Sequence, residues 1–423
     1  MKRSIKRLFY YILYFASFPF ALIFLLAVIL IRKKVVVKWA CLRSSRIGHM
    51  SIDPTIYYLY RKKNLLLDEL NSINIFYNRF DIANITLAKM WNKKLLFFPS
   101  TFMHAVDKIY GKVELILPSN NLHTIGMYNY KSGDSPKPPW LNRDIYNQIN
   151  RNDNVLEFTE VQKRMGREFL NKIGVNNNNF VCLYVRDENY LKQMMPKNDW
   201  SHHQFRNSNI DDFHECASYL TKQGIHVFRI GSVVNKPMDT KGNKMIIDYS
   251  TNGMRNDFLD IYLLANCKFC ISTSGGLDNV SLIFNKPVLL IGVLPIIDLQ
   301  SYYKKVLVST RQIYSKNLGR TLSLKELYTS GLGEAYEQKI YDKNKVNILE
   351  PSSKDILNLT KRMVNLIESN FKLSKEEKKL QESFKKAYLE YFYKNKSGQI
   401  YHRNFSAIFD PNFLINNQKW WLN

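Results

Sequence analysis

The chain is poor in cysteine, with five in 423 residues. The number is odd, and Cys182 and Cys270 fall in apolar runs that are typical of buried strands. These features do not indicate the disulfide framework of a small secreted protein. Cys267 and Cys270 have the C-x-x-C spacing of a metal site, but no second pair accompanies them, and packing at a helix–strand junction is the better interpretation.

Acidic residues are also scarce, with 36 Asp and Glu against 61 Lys and Arg, which gives a formal net charge of +25. A nucleic-acid-binding protein would carry basic residues in stripes interleaved with stacking aromatic residues. Here they are scattered, with concentrations near Lys34 and over 372–386. We therefore expect anionic membrane lipids and a phosphorylated or lipid-linked acceptor as partners, and no nucleic acid.

Charge is absent altogether between Leu8 and Ile31, a run that is long enough to span a bilayer. The run lacks both the cleavage site of a signal peptide and the polar face of an interfacial helix, and Pro19 can kink it. It predicts an uncleaved membrane anchor over 1–33. The basic residues on its carboxyl side favour a cytoplasmic body at the inner (cytoplasmic) membrane, and a lumenal body in a secretory pathway is the alternative.

The segment 267–292, CKFCISTSGGLDNVSLIFNKPVLLIG, is the most informative stretch. It predicts a strand at Phe269–Ile271, a loop of small residues, a short helix, and a second strand at Val288–Gly292, the order that builds a parallel α/β sheet. Backbone N–H groups of such a loop at a helix N-terminus suit a phosphate. A tight connection without ligand needs the same small residues, so both interpretations stay open.

Charged residues follow two further predicted strands. Arg186 comes directly after Phe180–Val185, and Arg229 lies near the end of Ile225–Ile230. Open α/β folds bind ligands at the carboxyl edge of the sheet, so three strand ends of this kind predict a negatively charged ligand there. Each arginine taken alone is equally compatible with a solvated surface cation.

These residues carry a resemblance. The motifs VCLYVRDENYLK, FRNSNID, FRIGSVV, DFLDIYLLANCKFCIST-SGGLD and NKPVLLI, in this order, resemble an uncharacterised bacterial family of predicted glycosyltransferases. More distantly, the chain is similar to heptosyltransferase-type enzymes with two Rossmann-like domains, the GT-B architecture. The closer resemblance, to the uncharacterised family, covers most of the chain from about residue 35 onward.

The resemblance implies an α/β fold of two facing Rossmann-like domains, which also suits a chain of 423 residues. We expect an acceptor domain over 34–150, a nucleotide-sugar donor domain over 151–360, and a helical tail over 361–423 that packs back on the body. The segment 132–140 has the composition of a linker or a loop. Residues 311–345 are expected to be irregular.

The resemblance also implies a donor site in the carboxyl-terminal domain. Ser274, Gly275 and Gly276 would present N–H groups to the donor pyrophosphate, and Arg186 would neutralise the leaving nucleoside diphosphate. Further residues are expected to bind phosphate, ribose or sugar hydroxyls: Ser272, Arg206, Arg229, Gly231, Asp248 and Asp278.

Heptosyltransferase-like enzymes have an Arg-x-Gly-Asp loop after their first strand, in which the Asp is the expected general base. Here the strand Val35–Leu42 is followed by Arg46-Ile47-Gly48-His49, and a helix is expected from Thr55. His49 can act as a base near neutral pH, or can merely hydrogen-bond locally. Asp53 is the alternative base, and Arg46 and Gly48 are expected to contact the acceptor.

The sequence therefore predicts a membrane-anchored glycosyltransferase that passes a sugar from a nucleotide-sugar to a surface-glycan or lipid-linked acceptor by inverting displacement. No cofactor beyond the co-substrate is expected. The absence of an Asp-x-Asp pair at a strand end favours a metal-independent mechanism. Two alternatives remain: another transferase acting on phosphorylated or nucleotide-activated substrates, and a non-catalytic membrane-bound protein that binds sugar or lipid.

Overall fold

The computed structural model describes residues 2–66, 71–116, 123, 125, 143–194, 199–403 and 405–422. The chain divides into two compact units, Met1–Asn142 and Arg143–Asn423. Each unit has its own parallel sheet with helices in the connections, so the predicted α/β class is confirmed. The domain boundaries given above stay predictions, and the expected linker over 132–140 lies outside the described residues.

The first unit alternates strands and helices. Its strands are β1 (Val36–Leu42), β2 (Ser72–Asn78) and β3 (Leu96–Phe97), and its helices are α1 (Lys2–Ala16), α2 (Phe18–Ile31), α3 (Ile47–Lys62), α4 (Ile85–Asn92) and α5 (Ser100–Ile116). The sheet has the order β1-β2-β3, and β1 runs parallel to β2 from Val36 beside Ser72 to Leu42 beside Asn78.

Strand β1 also has a neighbour on its other side. The Trp39 N–H donates to the carbonyl of His123 at 2.9 Å, and the Trp39 carbonyl accepts from the N–H of Ile125 at 3.1 Å. This is the hydrogen-bond pattern of a parallel pair. Since β2 lies on one side of β1 and a later segment on the other, the carboxyl end of β1 is a topological switch point, the place where open α/β sheets leave a crevice.

Helix α3 corrects one expectation. It begins at Ile47, directly after Arg46, and not at Thr55. Pro54 lies inside the helix, where it removes one backbone hydrogen bond. The helix tolerates this loss because buried side chains such as Ile56 and Tyr60 anchor it to the unit.

The uncharged run at the amino terminus also differs from expectation. It forms α1 and α2, broken at Ser17 and bent by 43° between Leu8–Ala16 and Phe18–Ile31. Pro19 sits in the first turn of α2, where its missing N–H leaves no helical bond unmade. Neither helix alone is long and apolar enough to cross a membrane, whereas the bent pair together passes that test of length and composition. The expectation of one continuous helix is therefore wrong, and the run forms two helices that are bent against each other.

One face of α2 belongs to the core of the first unit. Ala21, Leu25 and Val28 are buried and share a hydrophobic cluster with Trp39 and with Met103 of α5. Their spacing of four and three residues places them on one stripe of the helix.

The second unit is built on seven parallel strands. In the order β13-β9-β8-β7-β4-β5-β6, these are β4 (Phe180–Tyr184), β5 (His226–Arg229), β6 (Ile246–Ile247), β7 (Phe269–Ser272), β8 (Val288–Val293), β9 (Val306–Thr310) and β13 (Ile408–Phe409). Connections and flanks are helices α6 (Glu160–Lys172), α7 (Asn189–Met194), α8 (His214–Lys222), α9 (Asp257–Asn266), α10 (Asp278–Ile283) and α13 (Ser353–Glu368), with 3₁₀ turns at Ile149–Arg151, Ser201–Arg206, Ile210–Phe213, Ile296–Asp298 and Leu332–Glu334.

The order of these strands reverses at β4. From β4 the chain builds β5 and β6 on one side, then crosses back to place β7, β8 and β9 on the other. The pairing of Tyr184 with Ser272 makes the carboxyl ends of β4 and β7 immediate neighbours. The second unit therefore has its switch point between the two strand ends that the sequence singled out.

Residues 311–345 are not irregular, contrary to expectation. They contain β10 (Gln312–Ser315), β11 (Arg320–Thr321), α11 (Leu324–Thr329) and α12 (Gln338–Lys343), and β12 (Val346–Leu349) completes an antiparallel sheet of order β11-β10-β12. These strands are short and only half-buried, so they lack the continuous apolar run by which the parallel strands were predicted.

The carboxyl-terminal tail packs on the second unit. It consists of α14 (Lys375–Phe392), strand β13 beside β9, α15 (Pro411–Asn416) and α16 (Gln418–Trp421). Phe384 lies at the centre of an aromatic cluster, with ring centroids 4.4 Å from Phe409 and 6.1–6.4 Å from Trp421 and Trp420. The terminal aromatic residues therefore serve as packing anchors within the second unit.

The two faces of α2 give a matched pair of substitutions. Leu25 is 4% exposed and its neighbour Leu26 is 53% exposed. We expect Leu25→Ala to lower the free energy of unfolding by about 2–5 kcal/mol, because it leaves a cavity in the core, and Leu26→Ala to change it by less than about 0.5 kcal/mol. Chemical denaturation of the full chain in detergent measures both, and equal effects would show that α2 does not pack on the sheet.

Candidate functional site

The switch point of the second unit joins three segments by hydrogen bonds. The backbone N–H of Arg186, after β4, donates to Thr273 Oγ1 at 2.8 Å, after β7. The carbonyl of Arg186 accepts from the N–H of Ser208 at 3.1 Å. Arg206, in the 3₁₀ turn Ser201–Arg206, donates from Nη2 to the carbonyl of Ser274 at 3.0 Å. Arg186, Arg206 and the loop 272–276 are thus brought together, whereas their role in binding a donor stays a prediction.

The side chain of Asp278 holds the loop 272–276 by hydrogen bonds. The Asp278 Oδ2 accepts from the Ser272 hydroxyl at 2.9 Å and from the Gly275 N–H at 3.1 Å, while the Ser274 N–H donates to Ser272 Oγ at 3.1 Å. The N–H groups of Ser274 and Gly275, which were expected to be open to phosphate, therefore have partners inside the loop. Asp278 acts as a clamp for this loop and is 1% exposed.

The loop backbone is constrained further. Ser274 has φ of 61°, a left-handed conformation that a non-glycine residue rarely adopts, and such strain recurs at functional sites. A Cβ on Gly275 would lie 2.1 Å from the ring of Tyr184, the last residue of β4. Gly275 is therefore needed for packing against Tyr184, whatever the loop binds. Gly276 follows half-buried.

Burial at this edge raises two pKa values, and neighbouring charges oppose the rise. Burial raises the pKa of Asp278 to about 6, against the hydrogen bonds of Ser272 and Gly275 and the charge of Arg206, which lower it. Burial also raises the pKa of Tyr184 to about 12, against the charges of Arg186 and Arg206. The charges of Arg186 and Arg206 thus both act on the buried side chain of Tyr184. The Nε of Arg206 is buried with no hydrogen-bond partner among the described residues.

Two other residues that were expected at the nucleotide-sugar site, Arg229 and Asp248, form an ion pair with each other. The Arg229 Nη1 lies 3.2 Å from the Asp248 Oδ1, and both side chains are buried. Asp248 also accepts from the Met238 N–H at 2.8 Å and from the Thr251 hydroxyl at 2.7 Å. A buried pair with these partners has a structural role in holding β5 to the following segment. Gly231, just beyond it, is needed because a Cβ there would lie 2.9 Å from Val234.

A cleft of about 570 Å³ opens at the carboxyl end of β4 and β5. Its walls carry carboxylates, amides and hydroxyls together with one half-exposed lysine: Val185, Asp187, Asn207, Ser208, Asn209, Ile210, Asp212, Arg229, Asn235, Lys236 and Glu350. Carboxylate and amide oxygens accept hydrogen bonds from hydroxyl groups. The wall chemistry therefore suits a ribose or a sugar.

One residue of this region was missed from the sequence. Arg311 follows β9 directly, is buried, and donates to the carbonyls of Phe205 and Asn207 at 2.9 Å and to the Ser208 hydroxyl at 2.8 Å. It thereby fixes the turn that carries Arg206. The signal that drew attention to Arg186, a charged residue directly after a strand, also applies to Arg311.

In the first unit, the two candidate bases form one pair. His49 and Asp53 are four residues apart on α3, and the His49 Nδ1 lies 3.1 Å from the Asp53 Oδ2. Asp53 is 1% exposed and His49 is 24% exposed. The buried carboxylate holds Nδ1 and so orients the ring, which leaves Nε2 as the nitrogen for proton transfer, the arrangement of a general base with its orienting acid. Arg46 is the residue before the helix, and Gly48 lies buried in its first turn, so the pair stands at the switch point of this unit.

The five cysteines are free, and Cys267 and Cys270 are buried. Over the residues that the structure describes, no group of three or more His, Cys, Asp or Glu side chains is placed to hold a metal ion. The interpretation that Cys267 and Cys270 serve packing stays a prediction.

Comparisons with known proteins give the following. No family model and no curated protein matches the chain. Among solved structures, it is similar to the ADP-heptose LPS heptosyltransferase II of E. coli, with 12% identity and a TM-score of 0.40 over 78% of this chain and 100% of that one. It is also similar to a glycosyl transferase family 9 structure from Veillonella parvula, with 10% identity and a TM-score of 0.44 over 78% of this chain and 96% of that one.

A third similar structure is the E. coli heptosyltransferase WaaC with ADP-2-deoxy-2-fluoro heptose, with 12% identity and a TM-score of 0.32 over 64% of this chain and 93% of that one. Heptosyltransferases, which the sequence motifs resemble, are thus among the solved structures to which this chain is similar. At these identities and TM-scores, the likeness carries no inference about activity.

The clamp by Asp278 predicts a pH dependence of stability. Its folded pKa of about 6 lies above the ordinary value of 3.8, so the folded state holds a proton that the unfolded state has lost. This stabilisation is complete below about pH 4 and is lost as the pH rises to about 6, with a slope of up to about 1.4 kcal/mol per pH unit. Asp278→Asn should remove that component in chemical denaturation series at several pH values.

Asp260, whose pKa is also raised to about 6 by burial, contributes in the same window, so the difference between the wild type and Asp278→Asn is the quantity to compare. Parallel curves for the two proteins from pH 4 to 7 would contradict a raised pKa at Asp278.

Proposed function

We propose that the protein is a glycosyltransferase that uses a nucleotide-sugar donor. One observation carries this proposal: at the switch point of a seven-stranded parallel sheet, the backbone N–H of Arg186 and the guanidinium of Arg206 both contact the clamped loop 272–276, and the charges of both arginines act on the neighbouring Tyr184. Two arginines at such an edge favour a ligand with several negative charges, and a diphosphate has them.

For the donor, the proposal assigns the diphosphate to Arg186 and Arg206, beside the loop of Ser272, Ser274 and Gly276. The proposal assigns the ribose or the sugar to the cleft that Asp187 and Asn207 line, because carboxylate and amide oxygens accept hydrogen bonds from hydroxyl groups. Arg229 and Asp248 support this edge as a buried pair, and Arg311 holds Arg206 in position. A guanidinium beside the leaving diphosphate stabilises the charge that grows as its bond to the sugar breaks.

For the acceptor, the proposal assigns proton removal to the His49 and Asp53 pair. The imidazole Nε2 takes the proton of the acceptor hydroxyl, the hydroxyl oxygen bonds to the anomeric carbon, and the nucleoside diphosphate leaves with the electron pair of the broken bond. The carboxylate of Asp53 stabilises the imidazolium that forms at His49. Arg46 and Gly48, at the start of the same helix, are proposed to contact the acceptor.

Inverting stereochemistry, a metal-independent mechanism, and a surface-glycan or lipid-linked acceptor are further parts of the proposal. So are attachment to the inner (cytoplasmic) membrane, a cytoplasmic body, and the exclusion of nucleic acid as a partner. The charge of +25 supports an anionic partner, and the sequence feature behind the metal-independent assignment is the lack of an Asp-x-Asp pair at a strand end.

Substitution of the two arginines tests the donor site. Arg186→Ala and Arg206→Ala should each weaken nucleoside-diphosphate binding by about 10- to 100-fold, because a hydrogen bond to a charged group contributes about 1.5–3 kcal/mol. Isothermal titration with a panel of nucleoside diphosphates measures the change. Arg320→Ala is the matched control, since Arg320 belongs to the same unit but is exposed and pairs with Glu326. Unchanged affinity in both variants would place the donor elsewhere.

Kinetics of the His49 and Asp53 pair test the base. His49→Ala should lower kcat by about 10²- to 10⁴-fold with little change in donor affinity, because only proton transfer is lost. Asp53→Asn should also lower kcat, and the double variant should be no slower than His49→Ala, since the two side chains act as a unit.

Two outcomes would change the assignment. Near-normal turnover of His49→Ala with an inactive Asp53→Asn would make Asp53 the base. Additive losses in the double variant would show that the two residues act separately.

A further inference from the structure

The helices α1 and α2 present a large apolar surface. Leu8, Phe9, Ile12 and Phe15 of α1 are between 57% and 66% exposed, and Leu30 of α2 is 82% exposed. An apolar surface of this extent on a folded unit marks an interaction site.

The two stripes of α2 are chemically alike but differ in their surroundings. Leu25 and Val28 face the sheet, whereas Ile23, Leu26 and Leu30 are exposed. At 100° per residue, the second set lies on the opposite side of the helix from the first. The protein therefore covers one side of α2 and leaves an equally apolar side uncovered.

The position of α1 relates this surface to the candidate base. The ring of Tyr10 contacts that of Phe80, with centroids 5.8 Å apart, and Phe80 follows the carboxyl end of β2. The N–H of the preceding residue, Arg79, donates to the Ser44 hydroxyl at 2.9 Å, and Ser44 lies in the short loop that leads to His49. The apolar surface thus borders the edge of the first unit that carries the His49 and Asp53 pair.

Charge indicates what covers this surface. Arg32, Lys33 and Lys34 follow the last turn of α2 and are all exposed, and no acidic residue occurs before Asp53. An apolar face next to exposed cations is complementary to a bilayer with anionic headgroups. A second copy of the chain would bring like charges together.

A membrane-spanning arrangement conflicts with the packing of α2. Its 14 residues reach about 21 Å, less than the hydrocarbon thickness of about 30 Å, so a crossing would need α1 as well, which is bent by 43° against α2. Its buried stripe is fixed to β1 and α5, so the helix cannot be surrounded by lipid without opening the core of the first unit. Lying along the surface satisfies both constraints.

We propose that the exposed faces of α1 and α2 form a docking surface that inserts into one leaflet of an anionic bilayer without crossing it. The docking surface does not depend on the proposed transferase activity. Its consequence does rest on that activity: the edge with His49 lies beside the leaflet, which favours an acceptor whose anchor stays in the membrane.

Flotation of the purified full chain with vesicles tests the surface. The chain should bind vesicles of phosphatidylcholine with phosphatidylglycerol, and Leu26→Glu should reduce the bound fraction at least about tenfold, because a charge replaces an inserted side chain. Leu318→Glu is the matched control, since Leu318 is exposed to the same degree, 54% against 53% for Leu26, but lies in the second unit.

Replacing Arg32, Lys33 and Lys34 by Gln should abolish the preference for anionic over neutral vesicles. The same change at Lys375, Lys378 and Lys379, which are also exposed, should not.

Labelling distinguishes one leaflet from two. In sealed vesicles with the chain added from outside, a membrane-impermeant maleimide should label both Ser4→Cys and Lys33→Cys, which lie at opposite ends of the helix pair. Protection of one of the two positions would show a spanning pair and overturn the proposal.

Absence of vesicle binding, with Leu26→Glu converting a dimer into a monomer, would assign the surface to a second copy instead. None of these measurements uses transferase activity, so failure of the proposed function and failure of the docking surface are separately visible.

Discussion

The parallel pairing of β4 with β7 is the constraint on which the second unit depends. Because Tyr184 pairs with Ser272, the residues that follow β4 and those that follow β7 lie side by side at the same edge of the sheet. Both strands are buried along nearly all of their length, so polar groups at this edge have to find partners within the protein. Asp278 provides the partners for the loop after β7, and Arg206 reaches the same loop from another segment. The strand order brings the charged residues to this edge, and the hydrogen bonds then fix their positions.

Both units use a buried carboxylate to position a polar group at a switch point. Asp278 holds backbone and hydroxyl donors, and Asp53 holds an imidazole. Each carboxylate is 1% exposed, so neither is a reagent that meets solvent directly. This arrangement costs desolvation, which the raised pKa of Asp278 makes visible, and that cost is acceptable where orientation matters more than stability.

Much of the second unit could be predicted because buried parallel strands read as continuous apolar runs, as in 180–184 and 269–272. The strands over 312–349 were missed because they are short and half-buried. The pair of Arg229 with Asp248 could not be seen, since it joins residues that are distant in the chain and depends on β5 lying beside β6. The pair of His49 with Asp53 was hidden by an error in one boundary: once α3 begins at Ile47, a spacing of four residues predicts the contact.

For the first helices, the sequence likewise did not show which side packs on the protein. An interfacial helix is recognised by a polar face opposite its apolar face, and the run from Leu8 to Ile31 has none. That criterion assumes that a helix is alone at the membrane surface. In α2 the side turned away from solvent packs on β1 and α5, so an apolar residue such as Leu25 meets protein where an isolated helix would meet water. Whether a uniformly apolar helix spans a bilayer or lies along it is then decided by what its second face contacts. Sequence periodicity alone does not contain that information, because both faces carry the same residue types.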